Sequence, residues 1–289
     1  MIWNGIRPYV LHLRPKSFFI VTGHMLFGVV MALLLNNANI QYGDIIIAVV
    51  SWTVLLNGGA LAYNSYFDRD KGSVNWLDKP PMIPAGLHIY ALILMALGLL
   101  ILYSINMRIF IAGAICTVLS IMYSTPPLIL KKRAWINELT NSLCYATLTA
   151  YAGYAVFDLP LDYAFIIVLV CLFILGFGSV PIAEIYQNRE DKERGYKTVS
   201  LVLGTGKTLI FSMTCMNISF LIIFAGGALG YLNRAVFIMV PFYLYFLHYY
   251  LSWYRRHTAT GQVDEKKELY KGYLLCILWD GFFILAYML

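Results

Sequence analysis

The chain has 289 residues, of which 60% are hydrophobic and only 12% are charged, and its mean hydropathy is +0.71. About a quarter of the residues of a soluble domain are charged, so this composition excludes a soluble globular protein and predicts a polytopic membrane protein. The formal net charge of +6 is therefore informative through its distribution along the chain, and we expect no nucleic-acid partner.

Nine apolar stretches follow one another, each near the roughly 20 residues that cross the hydrocarbon core of a bilayer. They predict an all-α integral membrane protein with nine transmembrane helices in one bundle, and a single domain over residues 1–289. The five cysteines lie singly within apolar runs and are interpreted as reduced packing residues. The predicted spans are 17–36, 43–63, 88–106, 109–123, 138–157, 162–183, 209–232, 235–253 and 269–288.

The basic residues orient this bundle. If the N-terminus is cytoplasmic, nineteen of the 21 Lys and Arg residues fall on the inner side, and only Arg108 and Arg234 fall outside. The longer loops are inner as well, and two of them, at about 64–87 and 184–208, are predicted to cap the bundle where function is usually located. We expect the inner membrane of a bacterium, with the active face cytoplasmic.

A polar helix end follows the second predicted span. Asn64 and Asp68 are spaced i, i+4 and therefore project from one face of a helix. Their amide and carboxylate oxygens suit a hard cation such as Mg²⁺ that carries phosphate oxygens. The alternative interpretation is a polar helix end that faces water.

A basic segment follows the fourth predicted span. It begins with Tyr123-Ser124-Thr125-Pro126-Pro127, whose two prolines end the helix, and continues to Lys131, Lys132 and Arg133. Three adjacent cations can bind a diphosphate or anionic lipid head groups. The topology rule alone also accounts for such a cluster.

A second acidic helix end follows the sixth predicted span. Glu184, Gln187 and Asp191 are spaced to share a helix face, and Lys197 and Thr198 could then present a cation and a hydroxyl to an anion. Alternating charge at such a place is also typical of a solvated, salt-bridged surface.

Together these constellations predict a diphosphate site on the inner face. Acidic groups can hold Mg²⁺, the metal can hold a diphosphate, and Lys and Arg can neutralise the remaining charge. The apolar spans would form a lipophilic cavity for a hydrocarbon tail, and aromatic faces could stabilise an allylic carbocation there.

The ordered motifs resemble the UbiA-type intramembrane prenyltransferases over most of the chain. That family has nine transmembrane helices and two Asp-rich motifs, after helices two and six. The first motif reads Asn-x-x-x-Asp-x-x-x-Asp and is followed by a Pro-Ser/Ala-Gly turn; it is matched by Asn64, Asp68 and Pro84-Ala85-Gly86. The family's Tyr-Ser-x-Pro-Pro loop is similar to residues 123–127. The second motif reads Asp-x-x-x-Asp-x-x-x-Gly-x-x-Thr and is matched by Asp191, Gly195 and Thr198.

Two positions depart from the family pattern. Gly72 stands where the first motif has its last Asp, and Gln187 stands where the second motif has its first. Asp70 does not simply replace Gly72, because two residues after Asp68 it points about 200° away on a continuing helix. Candidate substitutes for the missing carboxylates are Asp70, Glu184 and Glu190.

The resemblance implies a Mg²⁺-dependent prenyltransferase that ionises a prenyl diphosphate and transfers the prenyl group to a lipophilic, often aromatic, acceptor. It implies that Asn64, Asp68, Asp191 and, more weakly, Gln187 hold the metal, and that Asn64, Asp68 and Asp191 form the catalytic centre. The substrate-binding residues would be Tyr123, Lys131, Lys132, Arg133, Gln187, Lys197 and Thr198.

Two alternatives stay open at this point. Relatives of the family resemble terpene cyclases, in which the cation is quenched internally and no acceptor is needed. A transporter or a non-enzymatic membrane protein would instead use the isolated intramembrane residues His24, His248 and Asp280.

Overall fold

The computed structural model describes residues 2–36, 38–69, 74, 77, 79–261 and 263–289. The elements formed by these residues are helices, as the sequence predicts. The chain packs as two compact units. The first comprises Met1–Leu33, Asn37–Leu130 and Leu148–Leu159, and the second comprises Leu34–Asn36, Lys131–Thr147 and Pro160–Leu289. The organisation as a single domain stays a prediction.

Fourteen α-helices are formed by the described residues, with π-helical stretches at Ser51–Asn57 and Ser142–Leu148. In chain order they are α1 (Ile2–His12), α2 (Phe18–Asn36), α3 (Tyr42–Val50), α4 (Gly58–Asp68), α5 (Leu87–Ile105), α6 (Met107–Ser124), α7 (Ile136–Asn141), α8 (Thr149–Ala155), α9 (Tyr163–Ile185), α10 (Asn188–Glu193), α11 (Val199–Leu203), α12 (Thr205–Leu229), α13 (Val240–Thr260) and α14 (Glu265–Met288).

Eight helical segments of the described chain are long and apolar enough to cross a membrane. They confirm a multi-pass membrane protein. The predicted span 138–157 is not among them. The helical segment at 136–155, formed by α7, the second π-helical stretch and α8, begins with polar residues such as Asn137 and Glu138, which lower its apolar character. The number of nine spans and the side of the N-terminus stay predictions.

The predicted inner loops are shorter than expected, because the helices extend into them. Helix α4 continues to Asp68 and α13 to Thr260. The predicted cap loop at 184–208 contains two short helices, α10 and α11.

In the first unit, small residues bring α2 and α8 into close contact. A Cβ added at Gly28 would lie 1.8 Å from the carbonyl oxygen of Ala150, and one added at Gly153 would lie 1.9 Å from that of Met25. Only glycine therefore permits this approach, as in many helix pairs within membranes.

In the second unit, α9 and α12 are joined by hydroxyl groups. Ser212 Oγ donates to the carbonyl of Gly178 at 2.6 Å, and Ser219 Oγ donates to the carbonyl of Cys171 at 3.0 Å. Such bonds stabilise helix pairs where no water can bind the backbone. All five cysteines are free, and Cys171 and Cys215 are buried. This packing joins α12 to α9, whose last turn carries Glu184.

Candidate active site

The first acidic helix end is formed by the last turn of α4. Asn64 and Asp68 lie one turn apart on it and are both half-buried. The helix ends at Asp68, because Arg69 adopts the left-handed conformation (φ 49°, ψ 45°) that stops a helix. Since the helical register stops there, the argument from helix geometry against Asp70 does not apply. Asp70 and Gly72 themselves lie outside the described residues.

Two hydrogen bonds join this helix end to the start of the basic segment, within the first unit. Ser124 Oγ donates to Asn64 Oδ1 at 2.8 Å. At the neighbouring positions, the hydroxyls of Tyr63 and Thr125 lie 2.8 Å apart. Residues 60 positions apart in the chain thus form one local structure, and the Asn64 amide is held in a fixed orientation. Tyr123, the preceding residue, is half-buried near the end of α6.

A buried cation beside this helix end was missed by the sequence reasoning, which used Arg14 only to orient the bundle. Arg14 is 6% exposed, and its Nη2 lies 3.4 Å from Ser65 Oγ, next to Asn64. Guanidinium groups are well suited to binding diphosphate oxygens. The available signal was its position directly before Pro15, where the chain enters the first apolar span.

The basic segment and the residues after the second acidic helix end come together in the second unit. The backbone N–H of Lys197 donates to the carbonyl of Lys132 at 3.0 Å, and Arg133 and Lys197 form an isolated β-bridge. The Lys132 ammonium lies 5.3 Å from the centroid of the Tyr196 ring. Lys131 is buried. Cationic residues from two separate stretches of the sequence therefore lie next to each other.

The second acidic helix end is interrupted, and this corrects the expected single helix face. Helix α9 ends after Glu184 at Ile185, and α10 begins at Asn188, with Gln187 between them. The N–H of Gln187 bonds to the carbonyl of Glu184 at 2.8 Å, and that of Asp191 to the carbonyl of Gln187 at 3.0 Å. The first bond spans three residues, so the turn is tighter than an α-helix.

The remaining residues of this motif have local structural contacts. Glu190 forms an ion pair with Arg194 at 2.5 Å, so it is engaged within α10. Gly195 has a φ of +71° and follows the helix end, as the motif requires. Thr198 is buried, and its hydroxyl caps α11 by accepting from the N–H of Leu201 at 3.4 Å.

A pair of carboxyl groups lies behind this motif, and the sequence reasoning did not single it out. Glu138, on α7, is fully buried beside Glu184, and the two carboxyls lie within hydrogen-bonding reach of each other. The Asn137 amide donates to Oε1 of both, at 3.4 Å to Glu138 and at a shorter distance to Glu184. Both Oε2 atoms are buried without a hydrogen-bond partner. The available signal was an Asn-Glu pair at the start of an otherwise apolar predicted span.

Each of the two helix ends offers oxygen donors of the kind that a magnesium ion prefers. Among the described residues, no three His, Cys, Asp or Glu side chains gather closely enough to hold a metal by themselves. Mg²⁺ usually takes one or two protein carboxylates and completes its coordination with substrate phosphates and water. Amide and carboxylate oxygens, two of them buried and unpartnered, match that requirement.

The family model of the UbiA prenyltransferase family matches residues 25–267, which include both acidic helix ends and the basic segment. The chain belongs to this family. Among curated relatives, the chloroplast chlorophyll synthase of Avena sativa is 31% identical over 164 residues, which cover 52% of this chain and 42% of the relative. The chain thus spans about half the length of the first curated relatives it matches.

Two further similarities cover most of the chain. The digeranylgeranylglyceryl phosphate synthase of Thermococcus gammatolerans is 24% identical over 253 residues, which are 84% of this chain and 86% of the relative. A solved structure of a UbiA homologue from Archaeoglobus fulgidus, bound to GPP and Mg²⁺, matches with a TM-score of 0.67 and 16% identity. That match covers 98% of this chain and 100% of the homologue, and it shows that the UbiA fold is shared.

Proposed function

We propose that this chain is a Mg²⁺-dependent prenyltransferase, which ionises a prenyl diphosphate and transfers the prenyl group to a lipophilic acceptor. The observation that carries the proposal is the pairing of Lys132 and Arg133 with Lys197, next to the acidic helix α10. A metal-bound diphosphate requires a cluster of cations beside carboxylates, whereas the transport of a neutral solute does not require such a cluster.

The metal ligands proposed are Asn64, Asp68 and Asp191, with the Gln187 carbonyl as a weaker donor. When bound, Mg²⁺ would neutralise the diphosphate oxygens and make the diphosphate a better leaving group. The hydrogen bond from Ser124 keeps the Asn64 oxygen in place, so this ligand needs little reorganisation on binding.

The diphosphate is proposed to bind Lys131, Lys132, Arg133 and Lys197 through charge-assisted hydrogen bonds. Thr198 is proposed to position Lys197, since its own hydroxyl caps α11. Tyr123 precedes Ser124 and is proposed to line the same site.

In the proposed reaction, the allylic carbon–oxygen bond breaks and its electron pair leaves with the diphosphate. The resulting allylic cation is captured by a nucleophilic atom of the acceptor, which then loses a proton. Apolar spans would hold the hydrocarbon tail away from water, and aromatic faces would stabilise the cation. The acceptor class is supported by the relatives, which are named for making chlorophyll and digeranylgeranylglyceryl phosphate. We propose the cytoplasmic face as the side of this reaction, which the distribution of basic residues supports.

The test is product analysis with purified protein in lipid nanodiscs. Prenyl diphosphates of increasing length are supplied with Mg²⁺, with and without a panel of aromatic and glyceryl phosphate acceptors. We expect a prenylated product that requires both acceptor and Mg²⁺. Asp68→Asn and Asp191→Asn should each lower the rate by at least about 100-fold, because each removes a charged group from the leaving-group site. Asp158→Asn, at an exposed ion pair with Arg108, is the matched control and should retain activity.

Other outcomes identify the alternatives. A hydrocarbon formed without any acceptor would identify a terpene cyclase. Absence of Mg²⁺-dependent diphosphate release with every substrate would contradict both enzymatic readings and favour the transporter class. Full activity in both Asp variants, with normal folding, would contradict the metal assignment alone.

A further inference from the structure

The carboxyl pair of Glu138 and Glu184 lacks a compensating charge in the part of the chain that the structure describes. Each carboxyl accepts one N–H from the Asn137 amide at Oε1, and each Oε2 is buried without a hydrogen-bond partner. None of the described ion pairs involves either residue. Burying one unpaired charge is costly, and burying two adjacent like charges is more so.

A cation bound between the two carboxyls would offset the free-energy cost of burying them. The Asn137 amide donates to both Oε1 atoms and so holds the two carboxyls side by side. The unpartnered Oε2 atoms are then the two oxygens still able to bind a positive ion. A divalent ion bound by two carboxylates and completed by phosphate oxygens and water is a usual arrangement for Mg²⁺.

The position of the pair relates it to the second acidic motif. Glu184 ends α9 and lies close enough to Asp191 for the two side chains to interact electrostatically. Glu138 is fully buried, while Glu184 and Asp191 are both half-buried. Glu138 is therefore the most deeply buried of three acidic residues that interact with one another through Glu184, and Asp191 is one of the proposed metal ligands. Gln187, between Glu184 and Asp191 in sequence, contributes no charge.

We propose that Glu138, which lies outside both Asp-rich motifs, acts with Glu184 as a Mg²⁺ ligand and supplies the carboxylate that Gln187 lacks. This inference rests on the proposed function, because the metal it invokes is the one that carries the diphosphate. The inference places a metal ligand on α7, a helix that carries neither Asp-rich motif.

The experiment measures metal binding without catalysis. Mn²⁺ replaces Mg²⁺ as a paramagnetic probe, and its affinity is measured by electron paramagnetic resonance, with and without a non-hydrolysable prenyl thiodiphosphate. Glu138→Gln keeps the shape of the side chain and removes its charge. We expect it to weaken Mn²⁺ binding at least tenfold, and Glu138→Asp to recover part of the loss. Glu193→Gln, in an exposed ion pair on α10, is the control and should bind Mn²⁺ as the wild type does.

A folded Glu138→Gln variant with wild-type Mn²⁺ affinity would overturn the inference. So would a variant that gains thermal stability with unchanged Mn²⁺ binding, since the two carboxyls would then be sharing a proton. If Glu138→Gln does not fold, Glu184→Gln takes its place with the same expected loss, and wild-type affinity there would equally overturn the inference.

The failure of this inference is separable from the failure of the proposed function. Wild-type turnover of prenyl diphosphate, measured in parallel, reports on the function alone. Turnover together with unchanged Mn²⁺ affinity in the variant would reject only the role of Glu138. Weakened Mn²⁺ binding without any wild-type turnover would support the ligand and reject the prenyltransferase.

Discussion

Replacing Ser124 by alanine tests whether the contact between the two motifs of the first unit matters for catalysis. The substitution removes the 2.8 Å hydrogen bond to Asn64 Oδ1. A neutral hydrogen bond contributes about 0.5–1.5 kcal/mol net, and the upper half of that range applies because Ser124 is only 2% exposed. If the bond orients a metal ligand, that energy corresponds to a fall of about 5- to 13-fold in kcat/KM.

The assay is the initial rate of diphosphate release as a function of Mg²⁺ concentration. We expect Ser124→Ala to shift half-saturation to higher Mg²⁺, because the Asn64 amide loses a contact that orients its oxygen toward the metal. Ser104→Ala is the matched control: this exposed serine donates to the carbonyl of Ile101 within its own helix, and its loss should leave the Mg²⁺ dependence unchanged. An unchanged Mg²⁺ dependence in Ser124→Ala, or an equal shift in the control, would refute the reasoning.

Two further predictions concern stability, measured by thermal unfolding in detergent. Gly28→Ala places a Cβ 1.8 Å from a carbonyl oxygen of α8, so the helices must separate, and overpacking of this kind should lower the free energy of unfolding by about 3 kcal/mol. Gly23→Ala, with nothing within 4 Å, should be neutral or slightly stabilising because alanine favours a helix more than glycine does, and equal stability of the two variants would contradict the packing argument. Glu268→Gln weakens a buried carboxylate's contacts with Arg256 at 3.2 Å and with a lysine; because both cations are half-exposed, we expect a loss of about 1–2 kcal/mol. Glu193→Gln, in an exposed pair, should change stability by less than about 0.5 kcal/mol; a comparable loss in both would show that burial of Glu268 has no special effect.

The resemblance of ordered motifs predicts where along the chain the candidate site lies, but it does not describe how the motifs are built. Asn64 and Asp68 occupy the helix turn that their spacing predicts. Glu184, Gln187 and Asp191 do not share one helix, because the chain tightens at Gln187. A spacing rule assumes an uninterrupted helix, and the residue types at this position do not indicate that the helix is interrupted.

The sequence by itself determined the class of the protein. Hydropathy and charge are local properties that sum along the chain, so they identified the membrane spans, and the order of the motifs identified the family. The span at 138–157 stays a prediction, because polar residues at one end reduce the apolar signal of the helical segment at 136–155.

Only the tertiary structure decided which polar groups meet. Glu138 contacts Glu184 from a different helix, Ser124 holds Asn64 across 60 residues, and Arg14 lies buried beside the first motif. These contacts depend on how close helices approach, which is set by the absence of a side chain at glycines such as Gly28 and by hydroxyl bonds between helices. No pattern along one helix contains that information, because each contact joins faces whose rotation and depth are fixed only when the helices pack.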